Sequence, residues 1–600
     1  MDRNLILAIV LSFGVFLLWD YMVLGPQREA QEAARQAQAT EQTETAAAQD
    51  MDPDIGGLVG EAAALTVSDA IAKADARVPI KTPTLEGSIN LKGGRFDDLV
   101  LLQYHQTVDE SSPPIRLLSP AETEHGHFMQ QGWAVGKDTQ AGAQWTAPEG
   151  AVLTPSTPVT LTRTNGDLTF EKTISVDDRY MFTVTQSVTN TSGETKNLRP
   201  YSTVTQRNTP EEYRNFMILH EGPLGVIGTK LYERKYNKLK KNKNAKIEES
   251  GVGGWVGITN KFWLAASIPP ADAEIEATLA NRGTTEKPIF EAFYAMPAVS
   301  LAPGETHSMQ SYMFGGPKDV DLLQSYEASS EQGGLGVYDF DKAVDWGHLF
   351  FLTRPIFYTL NFFGDLTGNF GIAIILLTLI IKLILFPIAN KGYESMSKMK
   401  KLQPEVKKLQ ERYADDKMKL QQEMMALYKK EKMNPLAGCF PILLQMPIFY
   451  ALYKTLFVTI ELRHQPFLYI NDLSAPDPTT IFNLFGLLPF DPTVLPVIGG
   501  FLGIGFLPVL MGVAMWFQTK LNPPPADPVQ AQVFAFMPFI FVFIFAPFAA
   551  GLVLYWFWNT TLGILQQWYI MKKNGVKVEL GQRLNLPWAK KNADAAGDAK

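Results

Sequence analysis

The chain has 600 residues, a formal net charge of −7 and 46% hydrophobic residues. This length exceeds one hydrophobic core, the hydrophobic content excludes wholesale disorder, and the mild acidity gives no global basic footprint for nucleic acid. The single cysteine, Cys439, excludes an internal disulfide framework and any cysteine-rich metal site. Long apolar segments lie at 5–24 and within 370–570, so the sequence predicts a membrane protein with a large polar domain.

Residues 1–24 are predicted to form an N-terminal transmembrane anchor. The apolar stretch has about 20 residues, enough to cross a hydrocarbon core. A secretory signal peptide is the alternative, but Trp19-Asp20-Tyr21-Met22 ends the stretch without a small-residue cleavage pattern. Residues 25–81 follow as a flexible linker, because 27–80 contain no Trp, Phe or Tyr with which to build a core.

Residues 82–320 are predicted to form a large antiparallel β-sandwich. Apolar and polar residues alternate along 168–176 and 180–188, and Asn165-Gly166 is a strong hairpin signal. His125-Gly126-His127 could hold a metal, but no cluster of Asp, Glu and His near it in sequence has the spacing of a complete ligand shell. Because no catalytic motif stands out either, we expect this domain to bind or to act as a scaffold.

Five apolar spans are predicted after this domain. Residues 340–364 mix charges with aromatics and suit a helix lying in the membrane interface. Span 2 is predicted at 370–389, and spans 3–6 lie within 437–570, at 437–460, 494–517, 533–550 and 551–570. The loop at 390–436 carries twelve Lys and Arg and the tail at 571–600 carries seven, whereas 461–493 carry only Arg463. The positive-inside rule therefore places both termini in the cytoplasm and the β-domain outside.

The loop at 390–436 is predicted to be a cytoplasmic hairpin of two amphipathic helices. Six of the twenty methionines fall within 389–433, among them Met396, Met399 and Met424. Methionine suits adaptable contacts with varied apolar partners. Packing of the two helices against each other explains the same residues equally well.

Polar residues inside the spans predict a hydrophilic groove. Lys382 lies within span 2 with Thr378 one turn earlier, while Gln445 lies in span 3, and Trp556 and Asn559 lie in span 6. A charge at the bilayer centre costs about 2.5–3.5 kcal/mol, so its presence indicates a polar cavity. The alternatives are snorkelling of Lys382 towards the cytoplasm and ordinary hydrogen bonding between helices.

Several motifs occur in order through about 365–572 and strongly resemble the YidC family of membrane protein insertases, in the Oxa/Alb/YidC superfamily. They are Asn434-Pro435-Leu436-Ala437-Gly438-Cys439-Phe440-Pro441, Gln445-Met446-Pro447-Ile448-Phe449, Glu461-Leu462-Arg463, Asp472-Leu473-Ser474-Ala475, Leu510-Met511-Gly512, Met537-Pro538 and Gly551-Leu552-Val553-Leu554-Tyr555-Trp556. Lys92-Gly93-Gly94-Arg95 and Gly254-Trp255 resemble the periplasmic domain of the family's Gram-negative members.

This resemblance implies a polytopic inner-membrane insertase and chaperone with a five-span core among six spans and a periplasmic β-super-sandwich. It implies no enzyme activity, cofactor or metal. The implied partners are nascent membrane proteins, the Sec translocon, the ribosome, the signal recognition particle with its receptor, and the lipid bilayer. Many members carry an arginine in the groove, where this chain has Lys382; Thr378 and Trp556 match positions associated with function.

We expect Lys382 to attract an acidic or polar substrate tail while the apolar substrate helix leaves sideways into lipid. Met446, Phe449, Phe541 and Phe545 are predicted to form a hydrophobic slide for that helix, although plain lipid-facing side chains fit as well. Two other classes compete. One is a secondary transporter or channel, which would favour internal repeats; the other is a membrane-anchored carbohydrate enzyme, which would need a carboxylate pair.

Overall fold

The structure is a computed structural model that describes residues 65–575 except 75, 137, 140, 214, 217–218, 414–415, 432–439, 486, 489, 491, 493–501 and 523–527. The predicted anchor at 1–24, most of the predicted linker at 25–81 and most of the basic tail at 571–600 lie outside the described residues.

Two antiparallel sheets form the β-domain. The described strands are β1 Arg77–Lys81, β2 Leu85–Asn90, β3 Arg95–His105, β4 Pro114–Leu118, β5 His127–Val135, β6 Val159–Asn165, β7 Leu168–Val176, β8 Met181–Asn190, β9 Lys196–Arg207, β10 Gly222–Ile227, β11 Lys230–Glu233, β12 Ile247–Val252, β13 Gly254–Thr259, β14 Trp263–Ile268, β15 Glu274–Asn281, β16 Ile289–Ala295, β17 Val299–Leu301 and β18 Thr306–Pro317. The larger sheet has the order β1-β2-β3-β5-β9-β16-β15-β12, with β4 on β3 and β17 on β9. The other has the order β11-β10-β13-β14-β18-β8-β7-β6.

The hairpin of β6 and β7 shows how the sequence dictates this domain. Asn165 pairs with Leu168, and Gly166 between them has φ of +57°, a left-handed conformation that glycine adopts without a steric penalty. Along β7 the apolar side chains of Leu168, Phe170 and Ile174 are buried between the sheets. The predicted antiparallel β-sandwich is therefore confirmed, but its first strand, β1, lies within the predicted flexible linker at 25–81.

The described helices are α1 Val67–Ala72, α2 Tyr236–Lys241, α3 Val320–Glu327, α4 Phe350–Thr367, α5 Phe370–Arg412, α6 Lys417–Lys430, α7 Phe440–Val458, α8 Phe506–Leu521, α9 Pro528–Phe545 and α10 Ala550–Lys573. A 3₁₀ turn at Phe340–Ala343 and α4 occupy the region of the predicted interfacial helix at 340–364. On α4, Phe351, Tyr358 and Phe362 are exposed while Phe357 and Leu360 are buried, so the exposed face is apolar.

One continuous helix, α5, covers the predicted span at 370–389 and the first arm of the predicted hairpin at 390–436. The helix runs through both parts without interruption and includes Pro387 in the first and Pro404 in the second. The second arm is α6, whose first turn is capped by Asp416 accepting a hydrogen bond from the backbone N–H of Lys419 at 3.0 Å.

Within the described residues, one helical stretch, Phe370–Leu402, is long and apolar enough to cross a membrane on its own. Phe506–Leu521 and Ala531–Phe545 are apolar but shorter. The count of six spans therefore stays a prediction. The helices share a buried core that includes Ile374 of α5, Leu452 of α7, Met511 of α8 and Tyr555 of α10.

Candidate functional site

Lys382 of α5 lies beside α8 and α10 at a point where α10 has no side chain. A Cβ built on Gly563 would lie 3.5 Å from Lys382 Nζ, 3.5 Å from Gln518 Nε2 and 3.7 Å from Tyr393 Oη. Three polar groups from two helices thus surround one glycine of a third. Because glycine adds no side chain there, the three polar groups lie close to the backbone of α10.

The Lys382 ammonium has no counter-ion in this part of the molecule. No Asp or Glu occurs in the helical segments around it, which are residues 370–393, 440–460, 506–522 and 528–573. Within the described residues Lys382 makes no hydrogen bond or ion pair, although it is only half-exposed. A half-buried cation without an anion favours the binding of an external carboxylate, since pairing offsets its lost hydration.

A polar stripe continues along α10 on the same side of the helix. Asn559 Oδ1, Gln566 Nε2 and Gln567 Oε1 are enclosed, and no group in the described part of the chain bonds to them. Gln567 uses its amide nitrogen to donate to Asn522 Oδ1 at 2.9 Å. Enclosed polar atoms are costly unless water or a ligand satisfies them. The stripe therefore needs water or a polar substrate segment beside it.

Two of the predicted groove residues are satisfied within the protein. The buried Thr378 hydroxyl donates to the Ile374 carbonyl at 2.6 Å, so it is bonded to its own helix. Gln445 Nε2 donates to the buried Tyr555 hydroxyl oxygen at 2.8 Å and ties α7 to α10. The structure thus gathers Lys382 and Asn559 along one side of α10, while Thr378 and Gln445 bond to internal partners.

Trp556 lies two helical turns from Gly563, in an aromatic cluster. Its ring centroid is 4.5 Å from that of Phe449, 5.0 Å from Phe545 and 6.3 Å from Phe541. Three of the four predicted slide residues therefore support Trp556. The edge-to-face contact with Phe449 joins α7 to α10, and the contacts with Phe541 and Phe545 join α9 to α10.

Exposure of the slide residues differs from one to the next. Met446 is 61% exposed, Phe449 and Phe541 are half-buried, and Phe545 is 5% exposed. The exposed apolar face of α9 is instead formed by Phe536, Phe539, Ile540, Phe543 and Ile544. The sequence could not orient α9, since its phenylalanines occur on every side of the helix.

In the hairpin, Met396, Met399 and Met424 are half-buried, whereas Met418 and Met425 are exposed. The helices α5 and α6 contact each other, and whether the half-buried methionines serve that contact or a partner stays a prediction. The two exposed methionines are the ones available to a partner, because their flexible thioether side chains face outwards.

A charged contact links α7 to the β-domain through Asp345, which lies before α4 and also accepts a hydrogen bond from the backbone N–H of His220 at 2.7 Å. Lys454 of α7 forms an ion pair of 2.5 Å with Asp345, and the Lys454 side chain is 2% exposed. Arg463 donates to the His105 carbonyl of β3 at 2.5 Å. Sequence reasoning missed this junction, although a lysine inside the predicted span at 437–460 was a signal for it. Burial alone would raise the pKa of Asp345, but Lys454 holds it below its usual value.

The histidines of His125-Gly126-His127 bond to backbone carbonyls. His127 Nδ1 lies 3.0 Å from the Leu117 carbonyl oxygen, and His125 Nδ1 lies 2.8 Å from that of Thr209. Burial lowers the pKa of His127 to about 4, so this ring is neutral at physiological pH. Internal bonding of this kind is typical of a structural role.

Glu461 lies in the 3₁₀ turn Ile460–Leu462 at the same junction. Its Oε2 atom is enclosed and unpaired within the described residues. Burial, and then the neighbouring carboxylates of Asp319 and Asp321, raise the pKa of Glu461 to about 8. The folded protein therefore holds this carboxyl group protonated at neutral pH.

Replacing Glu461 with glutamine should stabilise the protein at alkaline pH. Unfolded chains release the glutamate proton near pH 4.5, whereas the folded protein holds it up to about pH 8, so stability is lost as pH rises between these values. At about 1.36 kcal/mol per pKa unit, the loss is up to about 5 kcal/mol. Thermal unfolding of Glu461→Gln against wild type should show a gain at pH 8.5 that vanishes near pH 4.5. The exposed Glu286→Gln is the control, and an equal gain for Glu461→Gln at both pH values would contradict this assignment.

Two family models match the chain in succession. Residues 77–359 match the model described as the YidC periplasmic domain, and residues 362–577 match the 60Kd inner membrane protein model.

Curated relatives and a solved structure match this protein over most of its length. A membrane protein insertase YidC from Beijerinckia indica subsp. indica is 47% identical, over 98% of this chain and 99% of the relative. The one from Nitrobacter hamburgensis is 45% identical, over 99% and 98%. A crystal structure of an active YidC insertase with its first transmembrane domain resolved is 18% identical, covers 83% of this chain and 93% of that chain, and has a TM-score of 0.36.

Proposed function

The chain belongs to the YidC family of membrane protein insertases, and on that premise we propose that Lys382 and the polar side of α10 form the groove that receives substrate. As a member of this family it is an inner-membrane protein with a periplasmic domain and a non-enzymatic function. The observation that carries the proposal is the unpaired Lys382 ammonium facing Gly563, with Gln518 and Tyr393 beside it.

Insertion then needs no covalent chemistry. Lys382 attracts an acidic or polar tail of the substrate, and the unpaired groups of Asn559 and Gln566 hold the water or substrate atoms that keep the tail solvated. This lowers the cost of moving a polar segment part of the way across the membrane. The family's usual arginine presents a planar fork of donors, which Lys382 replaces with a point charge, so carboxylate binding here is less directional.

The apolar part of the substrate leaves sideways along exposed apolar side chains. Met446 of α7 and Phe539 and Phe543 of α9 are each more than half-exposed. Phe449, Phe541 and Phe545 hold Trp556 behind that surface and fix its shape. We assign the slide to the exposed set and support of the slide to the aromatic cluster.

We further propose six spans with both termini in the cytoplasm. Arg463 and Lys454 hold the far ends of the helices on the periplasmic β-domain, so the basic hairpin of α5 and α6 lies at the opposite end. Protease added to spheroplasts should therefore digest the β-domain and spare 390–436. Cleavage within 390–436 together with protection of the β-domain would contradict this orientation.

Chaperone activity and partners form the last part of the proposal. The basic hairpin and the tail at 571–600 would contact the ribosome and the signal recognition particle or its receptor, whose RNA makes binding salt-dependent without base specificity. Exposed Met418 and Met425 would meet apolar partner surfaces. Cooperation with the Sec translocon would extend insertion to larger substrates.

Purified protein in liposomes should insert a small one- or two-span substrate without moving solutes. Deleting residues 395–430 should abolish insertion of ribosome-bound substrate, because the deletion removes most of the hairpin while leaving α7 to α10 unchanged. Protease protection of the substrate is the measurement, and thermal unfolding of the deletion variant controls for folding. Solute flux through wild type without insertion would instead favour a transporter, and full insertion by a folded deletion variant would remove the hairpin from the mechanism.

A further inference from the structure

A cavity of about 570 Å³, here called the junction cavity, lies between the β-domain and the helices. Its walls come from the β-domain, from the segment before α4, from the start of α4 and from α7, and they include Glu233, Arg354 and Lys454. Its described lining contains no residue of the groove proposed around Lys382. Cavities of about 300–1,000 Å³ with a few polar groups are typical of sites for small molecules, so this cavity is a candidate binding site.

The lining of the junction cavity has more cations than carboxylates. The four cations are Lys235, Lys342, Arg354 and Lys454. The three carboxylates are Glu233, Asp339 and Asp345. Burial, and then the neighbouring carboxylate of Asp345, raise the pKa of Glu233 to about 7, so part of the Glu233 population is protonated at neutral pH. The lining therefore carries an excess of positive charge, which favours an anionic ligand.

The contacts of Arg354 fix its guanidinium group at the cavity. Arg354 Nη2 donates to Asp341 Oδ1 at 3.0 Å, and the guanidinium carbon lies 5.4 Å from the centroid of the Trp346 ring. The side chain is nevertheless 34% exposed. A guanidinium group carries five N–H donors in a rigid plane, so one oriented by a carboxylate and a ring can donate to a further acceptor at little entropic cost. Arginine held in this way is well suited to the oxygens of a phosphate group.

Lys342 adds a second accessible cation to the same lining. Its Nζ donates to Asp339 Oδ2 at 2.5 Å, and its side chain is also 34% exposed. An ammonium group has three donors and can therefore serve a second acceptor while it keeps the first. The cavity thus presents one guanidinium and one ammonium group to a ligand from outside.

The aromatic residues around the cavity place it at the level of the lipid headgroups. Trp346 and Tyr450 line it, and these residue types are enriched where headgroups meet water. Phe350 also lines it and is 56% exposed, while Phe351 beside it is 59% exposed. Phe351 begins the exposed apolar face of α4, which continues to Phe362. A ligand that meets both the charged cavity and this face has a polar end and an apolar end.

We propose that the junction cavity binds the phosphodiester headgroup of an anionic phospholipid from the periplasmic leaflet. Arg354 and Lys342 donate to the phosphate oxygens, and the acyl chains lie along Phe350 and the exposed face of α4. A lipid fits better than a free phosphate ion, because only a lipid also covers the exposed apolar side chains at the cavity. The bound lipid would hold the β-domain at the membrane surface. The site is separate from the groove around Lys382, so the two proposals stand or fall independently.

Photo-cross-linking of the full-length protein tests the proposal. The purified protein in detergent receives a phosphatidylglycerol that carries a diazirine on its headgroup, and the cross-linked peptides are identified by mass spectrometry. Wild type is compared with Lys342→Gln, Arg354→Gln and Arg354→Lys. Lys246→Gln is the matched control, since Lys246 also pairs with a carboxylate, that of Glu248 at 2.6 Å, on the surface of the β-domain. Thermal unfolding of each variant controls for folding.

Cross-linking is expected within residues 339–354 in wild type. It should be about tenfold lower in Arg354→Gln, which loses a charge-assisted bond to phosphate, and several-fold lower in Lys342→Gln. Arg354→Lys should retain most of the cross-linking because it keeps the charge, and Lys246→Gln should equal wild type. Equal cross-linking in wild type and in folded Arg354→Gln, or cross-linking confined to other segments, would overturn the proposal.

Competition identifies the ligand class. Unlabelled phosphatidylglycerol should suppress the cross-linking within residues 339–354, whereas the same concentration of phosphatidylcholine or of inorganic phosphate should leave most of it. Suppression by inorganic phosphate as strong as that by phosphatidylglycerol would overturn the lipid assignment, since the cavity would then be a site for a free ion. Equal suppression by phosphatidylcholine would overturn the choice of an anionic lipid.

Discussion

Replacing Lys382 with glutamate is expected to impair insertion of substrates with acidic translocated tails far more than insertion of substrates with neutral tails. At about 4 Å and an effective dielectric near 20, the interaction of two unit charges is about 4 kcal/mol, and reversal turns attraction into repulsion. Loss of the attraction alone, about 4 kcal/mol, corresponds to roughly a thousandfold weaker capture, and the repulsion weakens capture further. The helical segments around Lys382 contain no Asp or Glu, so the charge at position 382 determines the local electrostatic attraction.

The other substitutions at this position separate the groove from snorkelling. Lys382→Arg should retain insertion because it keeps the charge, and Lys382→Leu should reduce acidic-tail substrates selectively. Snorkelling instead predicts that Lys382→Leu is harmless for every substrate. Lys391→Glu is the matched control, since Lys391 is exposed on the same helix and undergoes the same change of charge.

Insertion is measured with substrates that differ only in the number of Asp and Glu in the tail. The rates for wild type and each variant are compared across that series, and the slope against tail charge is the diagnostic quantity. Equal losses for acidic and neutral tails would contradict electrostatic capture even if total activity falls.

Asp345→Asn is expected to destabilise the junction between α7 and the β-domain by about 3–5 kcal/mol. The change removes the 2.5 Å carboxylate partner of the buried Lys454 ammonium, and breaking a buried ion pair by removing one partner is costly. Lys454→Met in the Asp345→Asn background should recover most of the loss, because an apolar side chain of similar size replaces the charge. Unfolding of the four proteins in detergent forms a double-mutant cycle that isolates the pair.

An exposed ion pair supplies the control for that cycle. Lys246 and Glu248 lie 2.6 Å apart with side chains 46% and 55% exposed, so Glu248→Gln should cost less than about 1 kcal/mol. The Asp345 contribution is present above its unfolded pKa and is lost as pH falls through its lowered folded pKa. Equal effects of Asp345→Asn and Glu248→Gln would show that the junction is not held by this pair.

Structural features that depend on a single strand, turn or helix could be predicted from the sequence. The alternation along 168–176 indicates a strand with one buried face, and Asn165-Gly166 indicates the turn, because side chains of a strand alternate between its two faces. The amphipathic arms of the hairpin follow from the helical period in the same way. Lys382 could be singled out because a charge stands out in an apolar segment whatever surrounds it.

Tertiary structure alone decided which residues meet. Lys382 and Tyr393 lie on different turns of α5, whereas Gln518 lies on α8 and Gly563 on α10. Only the packing of these three helices brings the four residues together. Which side of α9 is buried could not be predicted from the sequence, because a helix that is apolar on every side has no amphipathic pattern. Its neighbours in the fold determine that Phe545 is buried and Phe543 is exposed. Likewise Lys454 and Asp345 are separated by 109 positions, and the sequence encodes their pairing only through the docking of two domains.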